Sequence, residues 1–146
     1  MILRVPIDMK EKIILLVEDS ENDVFLTRRA LDKLDSPHRL LVAEDGAKAL
    51  EYLFEHKFYS ELEVCPLPDI VLLDLKLPKI GGLEVLKKIR SDERTRLLPV
   101  LIVTASDEKA DVTAVNQLGG TSYTVKPVEA RQYRETIQKL VSAYLS

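Results

Sequence analysis

Ile13-Ile14-Leu15-Leu16-Val17-Glu18-Asp19-Ser20 is the stretch on which the fold turns. Five apolar residues run without a polar interruption and then give way to two acids and a hydroxyl. The run is too short for a helix and shows no alternation, so it predicts a strand buried on both faces. Ser20 or Asp19 is placed to cap a helix, which the pattern extends from about Asn22 to Asp35 with Val24, Leu31 and Leu34 on one face.

The same alternation continues along the chain. Leu40-Leu41-Val42-Ala43 reads as a second strand, and Asp45 caps a helix from about Gly46 to Phe54. The stretch from His56 to Pro68 lacks periodicity and contains Pro66 and Pro68, so it reads as a long loop or irregular extension. Ile70-Val71-Leu72-Leu73 is a third buried strand. Pro78 and Gly81-Gly82 mark a turn before a helix carrying Leu83, Leu86 and Ile89. Val100-Leu101-Ile102-Val103 is a fourth strand, and a weaker helix spans about Asp107 to Leu118 before Gly119-Gly120. Ser122 to Val125 is a fifth, more polar strand. The last helix runs from about Ala130 to Leu145 with Tyr133, Ile137, Leu140, Val141 and Tyr144 at helical spacing. Five β-then-α units predict an α/β fold with a parallel sheet and helices on both faces, a doubly wound sandwich.

Length and composition agree with one such domain. The chain has 146 residues, 46% hydrophobic and 31% charged, with a net charge of −3. An acidic balance disfavours a nucleic-acid partner. One cysteine, Cys65, excludes an internal disulfide and a thiolate metal cluster. The only histidines, His38 and His56, are too few for a multi-histidine metal site. No run approaches the ~20 apolar residues of a membrane span, and residues 1–11 read as a short leader without a secretory core. A cytoplasmic location and no membrane partner are the expectation.

In open α/β sheets, ligands bind at the carboxyl ends of the strands. Glu18 and Asp19 follow the first strand, Asp74 the third, Thr104 the fourth and Lys126 the fifth. Each alone has an ordinary reading as a cap, a loop charge or a solvated end. Together they form a set with a chemistry. Three carboxylates repel unless a hard divalent cation takes their oxygens, as Mg²⁺ does. An ammonium and a hydroxyl beside them suit the oxygens of a phosphoryl group. An aspartate is ionised at neutral pH and attacks phosphorus without a general base, forming an aspartyl phosphate.

These residues resemble the receiver domains of bacterial two-component response regulators. Leu16-Val17-Glu18-Asp19-Ser20, Leu72-Leu73-Asp74-Leu75 with Pro78 and Gly82 downstream, Val103-Thr104-Ala105 and Val125-Lys126-Pro127 carry the resemblance. It covers nearly the whole chain, a receiver unit over 12–146, and the intervals between the motifs agree. It implies a flavodoxin-like (βα)5 sandwich with strand order 2-1-3-4-5. Asp74 would be the phosphoacceptor. Asp19 and Asp74 would ligate Mg²⁺, with Glu18 acting through water and Lys76 offering its backbone carbonyl. Thr104, Ala105 and Lys126 would bind the phosphoryl group, and Tyr123 falls where the family often has a rotamer switch; a packed surface tyrosine is the alternative. The implied partners are a sensor histidine kinase, an unidentified downstream protein and a second copy in a homodimer. The face around the fourth helix, fifth strand and fifth helix would switch on phosphorylation.

The chain looks most similar to single-domain regulators partnered with phytochrome-type histidine kinases, on the strength of Glu18 to Asp23 and the long loop before Pro68. Lys76 departs from the neutral residue common two positions after the phosphoacceptor, and its ammonium is within reach of a phosphoryl group there. The rival from another class is an aspartyl-phosphate phosphohydrolase of haloacid dehalogenase type, which needs an acid where Lys76 stands. A flavin module of flavodoxin type would need a phosphate loop where Glu18-Asp19-Ser20-Glu21 stands. A receiver that binds partners without phosphorylation would not need the intact acid, threonine and lysine set. Lys87, Lys88, Arg90, Arg94 and Arg96 read as a solvated basic face, and Cys65 as a spectator thiol.

Overall fold

The computed structural model describes residues 11–55 and 66–145. Residues 1–10 of the expected leader over 1–11, His56, Cys65 and most of the expected long loop lie outside the described residues. Five strands form one parallel sheet: β1 (Lys12–Val17), β2 (His38–Ala43), β3 (Ile70–Leu73), β4 (Val100–Thr104) and β5 (Ser122–Val125). Their order is β2-β1-β3-β4-β5. Five helices alternate with them: α1 (Glu21–Leu31), α2 (Gly46–Phe54), α3 (Gly82–Ser91), α4 (Lys109–Leu118) and α5 (Ala130–Leu145). The expected doubly wound α/β sandwich is the observed one.

Two apolar layers sandwich the sheet, and strict alternation assigns each strand residue to one of them. Leu15, Val17, Val71, Leu73 and Ile102 face α2, α3 and α4. Ile14, Leu16, Leu72, Leu101 and Val103 face α1 and α5. Every residue of β3 and β4 is buried, which explains their unbroken apolar runs. Each such side chain contributes about 1.5–3 kcal/mol of burial, so a one-residue slip of register is strongly disfavoured. Edge strand β5 has no fully buried residue, hence its polar sequence.

Several element boundaries and faces differ from the sequence expectation. Helix α1 ends at Leu31 rather than Asp35. Beyond it Lys33 and Leu34 donate to the carbonyls of Ala30 and Leu31, a tighter winding. Asp32 and Asp35 would bring negative charge to the helix C-terminus, where the dipole opposes it. Helix α4 starts at Lys109 rather than Asp107 because Ser106 Oγ accepts from Glu108 N at 3.3 Å and occupies the entry turn. In α5 the last buried residue is Leu145 and Tyr144 is exposed, because steps of four from Tyr133 through Ile137 and Val141 reach 145.

The basic face also needs correction at Arg90, which is not a solvated charge. Its guanidinium donates to the carbonyls of Gly119 (2.8 Å), Arg96 (3.1 Å) and Leu98 (2.7 Å) and to Thr121 Oγ1 (3.3 Å). It ties the end of α3 to the loops before β4 and β5. Burial lowers its pKa without removing its charge. Arg94 likewise donates to the Leu53 carbonyl.

Gly82, at the start of α3, brings this fold to the edge where the acids gather. A Cβ there would stand 2.2 Å from the Asp74 carbonyl oxygen and 2.7 Å from Leu75 Cα. Only a bare backbone allows α3 to pack on the loop leaving β3, where Gly82 N donates to Leu75 O at 3.0 Å.

Two outcomes follow for stability. Arg90→Ala should lower unfolding free energy by about 2 kcal/mol, and Arg90→Lys should not restore it, because one ammonium cannot span four acceptors on separate segments. Gly82→Ala should cost about 1–3 kcal/mol through overpacking against backbone. Urea unfolding of the variants beside the parent measures both; a Gly82→Ala protein of parental stability would contradict the close approach.

Candidate functional site

The carboxyl edge of the sheet is fixed by ladder hydrogen bonds that run past the strand ends. Glu18 N donates to Ala43 O (3.0 Å), Asp74 N to Val17 O (3.1 Å) and Lys126 N to Thr104 O (2.7 Å). The backbone of three site residues is therefore set by the sheet itself. Their side chains leave the last turn of regular structure and converge above β1 and β3.

At the centre lies the Lys126 ammonium. It donates to Asp23 Oδ2 at 2.7 Å, to Glu18 Oε1 at 2.8 Å and to Asp74 Oδ2 at 2.9 Å. Glu18 and Asp74 are buried while Asp19 is exposed. Burial works against the charge on Lys126, but hydrogen bonds to Asp23, Glu18 and Asp74 overturn that effect and hold its pKa above the ordinary lysine range. Burial pushes the Glu18 carboxyl upward; Lys126 pulls it back, and the Asp74 charge adds to the rise.

One oxygen each from Glu18, Asp19 and Asp74 lies within 4.8 Å of the others. This donor set is all hard oxygen, as divalent Mg²⁺ or Mn²⁺ prefers. A cavity of about 200 Å³ lined by Glu18, Asp19, Glu21, Val24, Val42 and Glu44 opens beside it. With three carboxylates on the Lys126 ammonium, Asp19 beside them and no other cation paired with them among the described residues, the edge carries surplus negative charge that a cation would balance. The residues present fit such an ion.

Of the remaining expected site residues, Thr104, Ala105 and Lys76 fall on the same edge, while Tyr123 lies within β5. Thr104 is fully buried, and its Oγ1 lies 3.5 Å from Ser106 N. Ala105 follows it and is exposed. Tyr123 is half-buried, packed against the α2–α3–α4 layer, and its hydroxyl donates to Ser106 O at 2.8 Å. It thus rests on the loop that begins at Thr104, not on open surface. Lys76 N donates to Asp74 Oδ1 at 3.3 Å, so the loop's own backbone steadies that carboxylate. The Lys76 ammonium is largely exposed and reaches Asp111 of α4 at 4.0 Å.

Asp23 is the residue that sequence reasoning missed. Ser20 caps α1, its Oγ accepting from Asp23 N at 3.2 Å. In a capping box the acid at this position reaches back to the N-cap amide. Here Glu18 Oε2 already accepts from Ser20 N at 3.2 Å. The Asp23 carboxylate is released and turns to Lys126. The Ser20-x-x-Asp23 spacing was visible, but nothing local announced that Glu18 had taken the partner.

Comparison with known proteins agrees with this geometry. The model of the response regulator receiver domain family matches residues 14–138. Among curated proteins, the chain is 36% identical over 133 residues to the probable methanogenesis regulatory protein FilR2 of Methanothrix harundinacea, covering 91% of this chain and 83% of that one. It is 34% identical over 134 residues to the response regulator Rcp1 of Synechocystis sp., covering 92% and 89%. The Mn²⁺-bound structure of Rcp1 superposes with a TM-score of 0.84 at 33% identity, over 92% of this chain and 95% of that one. The phosphorylated cyanobacterial phytochrome response regulator RcpA superposes with a TM-score of 0.86 at 32% identity, over 93% and 95%. These matches set aside the phosphohydrolase of haloacid dehalogenase type and the flavin module. Fold, strand-end constellation and sequence similarity together show that the chain belongs to the response regulator receiver domain family and is similar to the phytochrome-associated regulators within it.

Proposed function

We propose that this receiver accepts a phosphoryl group on Asp74 in a Mg²⁺-dependent reaction and passes the signal through the face formed by α4, β5 and α5. The observation that carries the proposal is the buried Asp74 carboxylate, held by Lys126 at 2.9 Å and by the Lys76 amide at 3.3 Å, beside Glu18 and Asp19. The donor is a phosphohistidine of a sensor kinase, of the phytochrome type by similarity. An Asp74 oxygen forms the new bond to phosphorus as the phosphorus–nitrogen bond breaks. The leaving imidazole nitrogen keeps the electron pair and takes a proton from solvent. Asp74 needs no general base, because it reacts as the carboxylate.

Asp19 and Asp74 would hold the cation directly, Glu18 through water, and the Lys76 carbonyl would complete the protein ligands. The cation supplies neutralisation of the charge spread over the phosphoryl oxygens. Lys126 would donate to one of those oxygens, and Thr104 Oγ1 and the amide after it, that of Ala105, would donate to another. Phosphorylation adds about −1.5 to −2 charge and three strong acceptors at this edge. Thr104 moving toward them would carry the loop that holds Ser106 O, to which Tyr123 is bonded. That path leads from the site to β5 and α4, the surface offered to a downstream protein or to a second copy. The family is one of signalling phosphoacceptors, and the chain's substrate is in this sense itself. A cytoplasmic setting, where sensor kinase domains and Mg²⁺ are found, completes the reading.

Intact mass should show one added phosphoryl group after incubation with acetyl phosphate and Mg²⁺, and Asp74→Asn should abolish it; full labelling of that variant at another residue would overturn the assignment. Saturating Mg²⁺ at about 100 times its Kd should stabilise the parent by about 2.7 kcal/mol, with the gain largely lost in Asp19→Asn. Thermal unfolding with and without millimolar Mg²⁺ measures this, and a flat response in the parent would remove the cation from the mechanism. In amide NMR, a beryllofluoride-treated sample should show changes reaching residues 104–126; changes limited to the acids would refute the output face.

A further inference from the structure

We infer that Asp23 is a positioning residue for phosphotransfer: with Glu18 it forms a two-point mount that holds the Lys126 ammonium while its third N–H passes from Asp74 to a phosphoryl oxygen. The inference rests on the reading of Asp74 as the phosphoacceptor.

A lysine ammonium has three donors and a flexible four-carbon stem. Here all three donors have carboxylate partners between 2.7 and 2.9 Å, and the shortest contact is to Asp23. These acceptors differ in what the reaction does to them. When an Asp74 oxygen bonds to phosphorus, its carboxylate charge is lost and negative charge gathers on the phosphoryl oxygens. The donor facing Asp74 loses its ionic acceptor and gains another close by. The acceptors on Glu18 and Asp23 are unchanged. An ammonium secured at two points can redirect its third N–H by a small pivot, and the geometry facing the phosphoryl group is already set before reaction.

Asp23 is built for this role. Its own amide is fixed by Ser20 Oγ, and its carbonyl accepts from Thr27 Oγ1 at 2.8 Å. Glu18 has displaced it from the capping box, so its carboxylate has Lys126 as partner and not the helix end. It stands apart from the three carboxylates grouped for a cation, which are Glu18, Asp19 and Asp74. Its effect is therefore exerted through Lys126.

The test is the initial rate of labelling by acetyl phosphate at saturating Mg²⁺, read by intact mass. In that reaction an Asp74 oxygen bonds to phosphorus, the phosphorus–oxygen bond to acetate breaks, and acetate leaves with the electron pair, so charge balances without a proton. Asp23→Ala should slow labelling about tenfold. Asp23→Asn, whose amide oxygen still accepts from Lys126 but without charge, should fall between it and the parent. In a Lys126→Ala background, Asp23→Ala should change the rate by less than about twofold, since residues acting as a unit are non-additive. Parental rates in both Asp23 variants would overturn the proposal while leaving Asp74 as phosphoacceptor. An equal fractional loss with and without Lys126 would overturn it as well, because a general weakening of α1 behaves that way. A parent protein that takes no label would overturn the phosphoacceptor reading itself.

Discussion

One ammonium shared by three carboxylates is the constraint around which the carboxyl edge of the sheet is organised. Unpaired, the buried Glu18 and Asp74 would each carry a large desolvation penalty. Lys126 offsets that penalty at distances of 2.7–2.9 Å, and it can do so only because β5 delivers it across the sheet to acids on β1 and β3. The arrangement stays short of neutrality, since Asp19 and Asp23 add charge and, among the described residues, Lys126 is the one cation paired with this group. A surplus of this kind suits a divalent ion, and the phosphoryl transfer proposed for Asp74 rests on the same electrostatic imbalance as the pairing.

The scaffold makes that imbalance tolerable by being rigid. Ladder hydrogen bonds extend one residue beyond β1, β3 and β5, so the backbones of Glu18, Asp74 and Lys126 do not depend on loop conformation for their placement. Gly82 and Gly46 let α3 and the α2 entry press against backbone around the Asp74 loop, at 2.2 Å from Asp74 O and 2.0 Å from Ile80 O for an added Cβ. Lys79 in that loop adopts a positive φ of 67° and its ammonium lies 3.5 Å from the buried Asp45. Close packing of this kind has few intermediate arrangements, which favours discrete states over gradual deformation.

Much of this was legible in the sequence, for a physical reason. Strands buried on both faces must be continuously apolar, so Ile70 to Leu73 and Val100 to Val103 announce themselves, and the first polar residue after each marks the functional edge. Glu18, Asp19, Asp74, Thr104 and Lys126 were read this way; the structure groups oxygens of Glu18, Asp19 and Asp74, joins Lys126 to Glu18 and Asp74, and has the Thr104 carbonyl accept from Lys126 N. What stayed hidden depends on long-range competition. Asp23 looks like a helix-start acid until Glu18 is seen to occupy the Ser20 amide. Arg90 looks like one more exposed cation until the chain beyond α3 and α4 returns to surround it. The end of α1 and the buried choice between Tyr144 and Leu145 turn on single hydrogen bonds or a fraction of a helical turn, which periodicity does not resolve.

Strand β1 lies inside the sheet, between β2 and β3, although it comes first in the chain. One neighbour, β2, follows after a single helix, but the other is β3, and Asp69 at its head exchanges hydrogen bonds with Ile13 across a separation of 56 residues. Closing that span carries more chain entropy than closing any hairpin-sized loop. Pairs β3–β4 and β4–β5 join neighbours in sequence. The kinetic consequence is an asymmetric assembly: the late half of the chain can form its sheet from nearby partners, while the first strand waits for the third. A chain emerging from the ribosome therefore presents Glu18 and Asp19 well before Asp74 and the surface that completes their pocket exist, and ordering of this edge is tied to the closure of β1 onto β3.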